Sequence, residues 1–243
     1  MKPGMPAAGP SDALELLTEG AIRPLGLMPR ASNYTFLAEV GEGDRTVLAV
    51  YKPRQGETPL WDFPEGTLCN REVAAYEVSR ALGWPAVPPT VLREGPMGEG
   101  SLQLFVEADP HQHFFTLRET GLEAFMPVAT FDVVTNNADR KSGHCLRSED
   151  GTIWVVDHGV CFSVEPKLRT VIWEFAGQRV PERYVEDVRR VAADLRSGAL
   201  RDALLELLSA REIDATVRRA ERLARTGRFP PPGHGRAYPW PPV

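Results

Sequence analysis

Alternating and clustered apolar residues in the first half of the chain predict two β-hairpins and one helix. Residues 34–52, YTFLAEVGEGDRTVLAVYK, carry β-favouring side chains on both sides of a glycine-containing turn, which is typical of a hairpin. Good helix formers fill residues 67–83, and this segment ends at a glycine, a common helix stop. Two further strand-like stretches, residues 90–94 and 101–107, flank a turn-rich GPMGEG and predict a second hairpin.

Helical patterns dominate from residue 108 onward. Residues 121–137 have helical periodicity with Pro127 near an internal break, and residues 181–228 predict two or three further helices. One short β pair interrupts them, because residues 144–159 contain two apolar stretches joined by the turn sequence SEDG. We therefore predict an α+β fold of two lobes, with a β-rich N-lobe and a mainly helical C-lobe.

The same changes in pattern predict the domain boundaries. We assign the N-lobe to residues 15–107 and the C-lobe to residues 108–228. Residues 1–14, rich in proline, glycine and alanine, are predicted to be a flexible lead. Residues 229–243 carry six prolines, which exclude a helix or an inner strand there. This tail either packs on the body, is disordered, or offers a polyproline II segment to a partner.

The composition limits the class of protein and its surroundings. With 42% hydrophobic and 25% charged residues, the chain is typical of a globular protein that buries a core. Its formal net charge of −5 argues against non-specific binding to a nucleic-acid backbone, so we expect no nucleic-acid partner. Three widely spaced cysteines without a CxxC pair predict no disulfide framework. No signal peptide or membrane span is recognisable, and we expect a cytoplasmic location.

The first candidate for chemistry is Lys52, which ends the apolar strand TVLAVYK. On its own, such a lysine often only extends toward water. Glu72 follows twenty residues later on the predicted helix and can offer its carboxylate to the lysine, with Glu77 on the same helix as a competing partner. A lysine held by a helix glutamate is how phosphotransferases fix an ammonium group beside nucleotide phosphates.

Two aspartate-bearing loops supply the second candidate site. The stretch NNADRKSGH, residues 136–144, contains Asp139, which can accept a hydroxyl proton, and His144, which can bind a metal through a neutral imidazole nitrogen. Taken alone, the stretch also fits a polar turn with Asp139 and Arg140 in a structural ion pair. Asp157 favours the functional interpretation, because an aspartate after the apolar IWVV is where a buried strand delivers a metal-binding carboxylate.

In chain order these residues form a strand lysine, a helix glutamate, a loop aspartate with a second ligand, and a strand-ending aspartate. This order resembles a protein-kinase-like fold over most of the chain, although the HRD and GxGxxG motifs of eukaryotic protein kinases are absent. The closer likeness is to the phosphatidylinositol 3- and 4-kinase group and to HipA-type kinases, whose catalytic loop reads D-R-H-x-x-N. Here the loop reads DRKSGH, with Lys141 in place of that histidine and His144 in place of the metal-binding asparagine. The sequence looks like the actinobacterial PI3/PI4-kinase-like family.

The resemblance implies a role for each residue. Lys52 would contact the nucleotide phosphates, Glu72 would position it, and Asp139 would act on the acceptor hydroxyl. His144 and Asp157 would hold Mg²⁺ or Mn²⁺, and an imidazole ligand favours manganese. The resemblance also implies nucleotide-binding groups in a phosphate-covering loop and in the hinge between the lobes: Ser32, Asn33, Phe105, Val106 and Glu107.

These roles predict an ATP- and metal-dependent phosphotransferase that acts on a protein or small-molecule hydroxyl. A membrane-lipid acceptor is disfavoured, because no basic amphipathic element is present to hold the chain at anionic headgroups. Two alternatives use the same site: a nucleotide-binding pseudokinase or scaffold, which the altered DRKSGH loop favours, and an adenylyl transferase. A weaker fourth alternative is a metallohydrolase built on four histidines: His111, His113, His144 and His158.

Overall fold

The computed structural model of the chain describes residues 10–29, 33–233 and 235–243. The chain forms two compact units. The first comprises the residues up to Cys69 together with Pro88–Phe105, and the second comprises Asn70–Val87 together with Val106–Val243.

The first unit is an antiparallel sheet with one helix against it. In chain order its described elements are α1 (Pro10–Glu19), β1 (Ile22–Leu27), β2 (Phe36–Glu42), β3 (Arg45–Pro53), β4 (Thr90–Gly95) and β5 (Gly98–Leu104). The strands lie in the order β1-β2-β3-β5-β4. Successive side chains of a strand point to opposite faces, and one face of β3 buries Ala49 and Tyr51 in a cluster with Leu17 of α1.

Both hairpins predicted for this unit are confirmed, since β2 pairs with β3 and β4 pairs with β5. The prediction of a flexible lead is wrong for residues 10–14. They form the first turns of α1, because Ala13 and Leu17 bury an apolar face of that helix. Residues 1–9 of the lead lie outside the described residues. The sequence pattern also fails to predict β1, whose side chains are largely exposed at the edge of the sheet.

The second unit is mainly helical. Its described elements are most of α2 (Leu68–Leu82), α3 (Phe114–Gly121), α4 (Met126–Thr135), β6 (Cys145–Arg147), β7 (Ile153–Val155), α5 (Glu182–Ser197), α6 (Ala199–Leu205) and α7 (Ala210–Thr226). The predicted helix at 67–83, the hairpin within 144–159 and the helices after residue 181 are all confirmed. A β-rich first unit and a mainly helical second unit give the α+β architecture that the sequence predicts.

A glycine and a proline mark the ends of two helices in this unit. Gly83, with φ of +84°, follows α2 in the left-handed region that glycine adopts without strain. Pro127 lies in the first turn of α4, directly after a 3₁₀ turn at Leu122–Phe125. The predicted break therefore falls just before this helix, where a missing proline N–H costs nothing.

The core of the second unit gathers apolar side chains from several helices. Phe131 of α4, Val188 of α5 and Ile213 of α7 are buried in one cluster. This cluster supports α4, whose C-terminal end leads into the first candidate loop. Within the described ranges, no helix combines the length and the apolar character needed to cross a bilayer.

Candidate functional site

The first candidate loop begins where α4 ends, at Asn136. This residue has a left-handed backbone with φ of +54°, which asparagine tolerates better than most residues. Its side-chain amide donates to the carbonyls of Ser163 (3.0 Å) and Glu165 (2.7 Å), and its Oδ1 accepts the Lys167 N–H (2.9 Å). One side chain therefore ends the helix and joins it to a neighbouring loop.

Asp132 of α4 and Arg140 of the loop form an ion pair with 0% solvent exposure on both sides. Arg140 Nε lies 3.1 Å from Asp132 Oδ2, and Arg140 Nη2 lies 3.0 Å from Oδ1, so the guanidinium binds both carboxylate oxygens. Asn137 Nδ2 donates to Oδ1 at 3.1 Å. Burial raises the pKa of Asp132, and the contacts with Arg140 and Asn137 oppose that rise.

Arg140 also fixes the second aspartate loop. Its Nη1 donates to the carbonyl of Val156 at 3.0 Å, and its Nη2 lies 2.8 Å from His158 Nε2. A guanidinium only donates hydrogen bonds, so His158 Nε2 is the acceptor and its imidazole is neutral. The residues on both sides of Asp157 are therefore held by one buried arginine.

Helix α2 binds the same loop through two consecutive charged residues. Glu72 is buried, and its Oε2 accepts the N–H of His158 at 2.9 Å. Arg71 donates to the carbonyl of Cys161 at 2.7 Å and pairs with Glu212 of α7 at 2.5 Å. The backbone that follows Asp157 is thus tied to two helices by buried ionic side chains.

Asp157 itself has a left-handed backbone, with φ of +62°. Glycine, asparagine and aspartate adopt this region more readily than other residues. Next to it, the Val156 N–H donates to the carbonyl of His144 at 3.0 Å and joins the two loops. The Asp157 side chain is 51% exposed, although the residue that follows it is fully buried.

Four polar side chains of these two loops form two close pairs, with exposures from 14% for His144 to 51% for Asp157. Lys141 Nζ lies 3.2 Å from Asp139 Oδ2, and His144 Nε2 lies 3.3 Å from Asp157 Oδ2. The Asp139 side chain is 33% exposed. Partial burial raises the pKa of Asp139, Lys141 lowers it, and the charge of Asp157 raises it. The structure therefore brings together three of the predicted residues: Asp139, His144 and Asp157.

The proton on His144 bears directly on metal binding. The Lys141 N–H donates to His144 Nδ1 at 3.4 Å, which leaves the proton of a neutral ring on Nε2. In that arrangement His144 donates a hydrogen bond to the Asp157 carboxylate. A cation that binds at Nε2 has to displace this proton, because only a free nitrogen lone pair can act as a ligand.

The exposed carboxylate of Asp157 fits a cation that arrives with a nucleotide. Such an ion takes one or two protein ligands and completes its shell with phosphate oxygens and water. Among the described residues, no group of three or more His, Cys, Asp or Glu side chains is placed to hold a metal ion. The histidines therefore do not form the cluster that the metallohydrolase alternative requires.

Lys52 and Glu72 belong to different units. Lys52 lies on β3 directly after the buried Tyr51, and its side chain is on the opposite face of the sheet. Of the two glutamates that compete as its partner, Glu77 pairs with Arg80 of its own helix at 2.5 Å. Glu72 is the buried one. The pairing of Lys52 with Glu72 stays a prediction.

The predicted phosphate-covering loop lies within the first unit, and the predicted hinge lies where the chain passes from the first unit to the second. Ser32 falls outside the described residues, and Asn33 Oδ1 accepts the Thr58 N–H at 2.8 Å. Phe105, the last residue of the first unit, donates its N–H to the carbonyl of Leu48 at 2.9 Å. The second unit continues with the other two predicted hinge residues, Val106 and Glu107.

Sequence reasoning missed the buried part of the site. It considered Arg140 as an ion-pair partner of Asp139, whereas the structure pairs Arg140 with Asp132 and pairs Asp139 with Lys141. A signal for Asp132 was present. It is a lone carboxylate within the apolar run VATFDVV, where an unpaired charge would be unfavourable. No comparable signal marks Arg71, because arginines are common on exposed helix faces.

Comparisons with known proteins give one match over nearly the whole chain and others that are shorter or more distant. No protein-family model matches the chain. The chain is 41% identical to Protein Rv2133c of Mycobacterium tuberculosis over 265 aligned positions, which cover 95% of each protein. It is 33% identical over 128 positions to Phosphatidylinositol 4-kinase gamma 4 of Oryza sativa subsp. japonica, covering 45% of this chain and 22% of the plant protein. The crystal structure of the Helicobacter pylori proinflammatory kinase CtkA aligns with a TM-score of 0.48 at 14% identity, over 84% of this chain and 97% of that one.

Proposed function

The chain belongs to the family of the Mycobacterium tuberculosis protein Rv2133c, and we propose that it is an ATP- and metal-dependent phosphotransferase acting on a protein or small-molecule hydroxyl. One observation carries the proposal: the partly exposed Asp139 and the exposed Asp157 belong to two loops that the buried Arg140 holds together. Phosphoryl transfer depends on positioning and electrostatics, so it needs carboxylates on a rigid base.

Asp139 is the proposed group that accepts the proton of the acceptor hydroxyl. Its partial exposure leaves a carboxylate oxygen accessible to a substrate. Lys141, 3.2 Å away, favours the ionised form and so opposes the rise in the pKa of Asp139 that burial causes. Lys141 therefore favours the form of Asp139 that can accept a proton.

Asp157 and His144 are the proposed residues that would hold Mg²⁺ or Mn²⁺. When bound, such an ion offsets the negative charge of the nucleotide phosphates. Asp157 offers the oxygen that both ions prefer. His144 offers a nitrogen once its Nε2 proton has left, and Mn²⁺ accepts nitrogen more readily than Mg²⁺ does. We therefore propose that Mn²⁺ supports activity at least as well as Mg²⁺.

The nucleotide contacts follow from the resemblance to kinases. Lys52 would bind the phosphates, and Glu72 would come within ion-pair distance of it when nucleotide is bound, because a lysine on a flexible stem is otherwise a poor clamp. Ser32 and Asn33 would cover the phosphates. The adenine would lie against backbone groups of three hinge residues: Phe105, Val106 and Glu107.

The similarity to a plant protein named as a phosphatidylinositol 4-kinase supports a kinase-like activity. The matched stretch covers 45% of this chain and 22% of the plant protein, so the lipid acceptor in that name is not carried over. A protein or small-molecule hydroxyl remains the proposed acceptor.

A pseudokinase is the second candidate, and the contact between His144 and Asp157 favours it. A hydrogen bond from Nε2 already satisfies one oxygen of the carboxylate at 3.3 Å, which reduces its need for a cation. In that case the loops would bind a nucleotide or a partner without transferring phosphate.

Labelled ATP distinguishes these functions. The protein is incubated with γ-labelled and, separately, α-labelled ATP in Mg²⁺ or Mn²⁺, and label on the protein itself and on added hydroxyl acceptors is followed. We expect transfer from the γ position only, with Asp139→Asn lowering it by about 100-fold or more. Asp44→Asn, in the exposed turn after β2, is the matched control and should transfer like the parent. Transfer from the α position would mean adenylylation, and binding without transfer would mean a pseudokinase.

A further inference from the structure

The proline-rich end of the chain belongs to the second unit and contacts the rest of that unit near the first candidate loop. Phe229 is buried, with its ring centroid 5.5 Å from that of Phe175, and it anchors the start of this stretch. Residues 231–233 and 235–236 are exposed. Residues 237–243, called the C-terminal segment below, then contact the second unit again through hydrogen bonds.

The C-terminal segment makes these contacts with its backbone carbonyls. The carbonyl of Ala237 accepts the N–H of Thr170 and the indole N–H of Trp173, both at 3.1 Å. The carbonyl of Pro242 accepts the N–H of Ser142 at 2.9 Å. Ser142 belongs to the first candidate loop, residues 136–144, which is called the catalytic loop below. Because Ser142 is fully buried, its N–H needs this hydrogen bond from within the protein.

Thr170 connects the first of these contacts to the catalytic loop. The Arg140 N–H donates to the carbonyl of Arg169 at 3.0 Å, and the Val171 N–H donates to the carbonyl of Arg140 at 3.1 Å. Residue 170 therefore has the loop on one side and Ala237 on the other. The C-terminal segment thus contacts the loop directly at Ser142 and indirectly, through Thr170, at Arg140, and both loop residues lie within three positions of Asp139.

Proline suits a segment that only accepts hydrogen bonds. It has no N–H, so Pro239, Pro241 and Pro242 leave no backbone donor without a partner. Their fixed φ also reduces the conformational entropy that is lost when the segment becomes ordered. The composition that excluded a helix or strand here is compatible with an ordered segment that has no regular secondary structure.

The C-terminal segment leaves the reactive side chains open. With the segment in place, the side chains of Asp139 and Asp157 keep the exposure described above. Tyr238 and Trp240 of the segment are 53% and 77% exposed, so neither fills the site. A segment that blocked the site would bury these carboxylates, whereas one that holds the loop through its backbone leaves them accessible.

We propose that the C-terminal segment is a positioning element that holds the catalytic loop, and with it Asp139, in place for phosphoryl transfer. This proposal rests on the proposed function of Asp139. The segment acts through the loop backbone and does not contact the reacting groups.

The test removes residues 237–243 from the full chain by ending it after Arg236. Hydrogen exchange is measured at the amides of Ser142 and Thr170, together with kcat and KM for ATP in the γ-label assay. We expect both amides to exchange at least about tenfold faster, because their acceptors are gone. We expect kcat to fall at least about tenfold because Asp139 is misplaced, and any rise in KM for ATP to be smaller than this fall, because Asp157 lies outside the loop.

Two further variants separate positioning from other roles. Tyr238→Ala with Trp240→Ala keeps both accepting carbonyls and should leave exchange and kcat like the parent. Trp173→Phe keeps an aromatic ring but removes the indole donor, and it should shift exchange at Thr170 and kcat in the same direction as the truncation, by less. If the truncated chain does not unfold cooperatively, Trp173→Phe decides the question.

The results that overturn the proposal are specific. A rise in kcat after truncation would mean that the segment blocks the site. Loss of kcat in the Tyr238→Ala and Trp240→Ala variant would mean that its aromatic side chains bind the acceptor. Unchanged exchange at Ser142 and Thr170 would mean that the segment does not hold the loop. If the parent transfers no phosphate, the proposed function fails and the positioning role falls with it, while the exchange rates still show whether the segment holds the loop.

Discussion

In each of the two aspartate loops, adjacent residues differ in solvent exposure: an accessible aspartate is followed directly by a buried residue. Asp139 is partly exposed and Asp157 is exposed, whereas Arg140 and His158, the next residue in each case, are fully buried. Arg140 lies at hydrogen-bonding distance from both His158 and Asp132. In each loop the buried anchoring residue, Arg140 or His158, therefore directly follows an aspartate that is proposed to act in the site, Asp139 or Asp157. Below, the buried residues are called the anchoring side and the accessible polar residues the working side.

This difference separates two uses of charge. A buried ion pair contributes rigidity, and removing one partner leaves an uncompensated charge in the interior. A partly exposed pair contributes less to stability because water and salt screen it, but its groups remain available to a substrate. Here the buried pair fixes the backbone, and the partly exposed pairs are the ones proposed to act in chemistry.

The largest effect is expected on the anchoring side, for Arg140→Met. The change leaves Asp132 buried without its cation, so the free energy of unfolding should fall by about 3–5 kcal/mol. Lys141→Met is the matched control one residue away on the working side, and it should cost about 1 kcal/mol or less. Urea unfolding followed by tryptophan fluorescence measures both. Equal losses for the two variants would contradict the comparison.

On the working side, Asp157→Asn should weaken metal-dependent nucleotide binding while leaving the fold intact. The substitution removes a charge that offsets phosphate repulsion, so we expect the affinity for ATP with Mn²⁺ to fall at least about tenfold. Calorimetry with and without metal measures it, and Asp44→Asn is the control. Equal affinities in the parent and in Asp157→Asn would remove this carboxylate from the site.

His144 sharpens the comparison because it belongs to the working side and also donates to Asp157. If its Nε2 binds the cation, His144→Ala should lower turnover about tenfold, and His144→Asn should keep turnover but shift the preference from Mn²⁺ toward Mg²⁺. If His144 only orients Asp157, the ratio of the Mn²⁺ to the Mg²⁺ rate should be the same in His144→Asn as in the parent. Initial rates with each metal decide between these roles.

The smallest effect expected is a shift in a pH profile. Burial raises the pKa of Asp139, and Lys141 lowers it. Because the base acts in its ionised form, activity falls as pH drops through this pKa. Removing the cation with Lys141→Met should therefore move the acid limb of kcat/KM to higher pH. A limb that stays in place would mean that Asp139 is not the titrating base.

The sequence predicted that Asp139, His144 and Asp157 would lie close together, whereas it did not predict which residues anchor their loops. Asp139, His144 and Asp157 attracted attention because polar residues crowd a loop and an aspartate ends an apolar strand. The roles of Arg140 and Glu72 depend on which buried groups they contact, and these contacts join residues up to 86 positions apart. No local pattern records such pairings.

The same distinction holds for the fold. Both hairpins of the first unit and the helices of the second follow from local periodicity and turn residues. Strand β1 and the start of α1 do not, because the exposed edge strand lacks alternation and the helix is stabilised by the sheet that Leu17 contacts. The course of the proline-rich tail is likewise set by distant donors such as Thr170.

The left-handed backbone at Asp157 restricts how this position can change during evolution. Aspartate, asparagine and glycine tolerate a φ near +62°, whereas most other side chains are strained there. The codons for asparagine and glycine are each one base change from that for aspartate. Loss of the carboxylate without loss of the loop is therefore a single mutational step. A relative with asparagine or glycine at this position would be expected to keep the fold while lacking the carboxylate that is proposed to hold the metal.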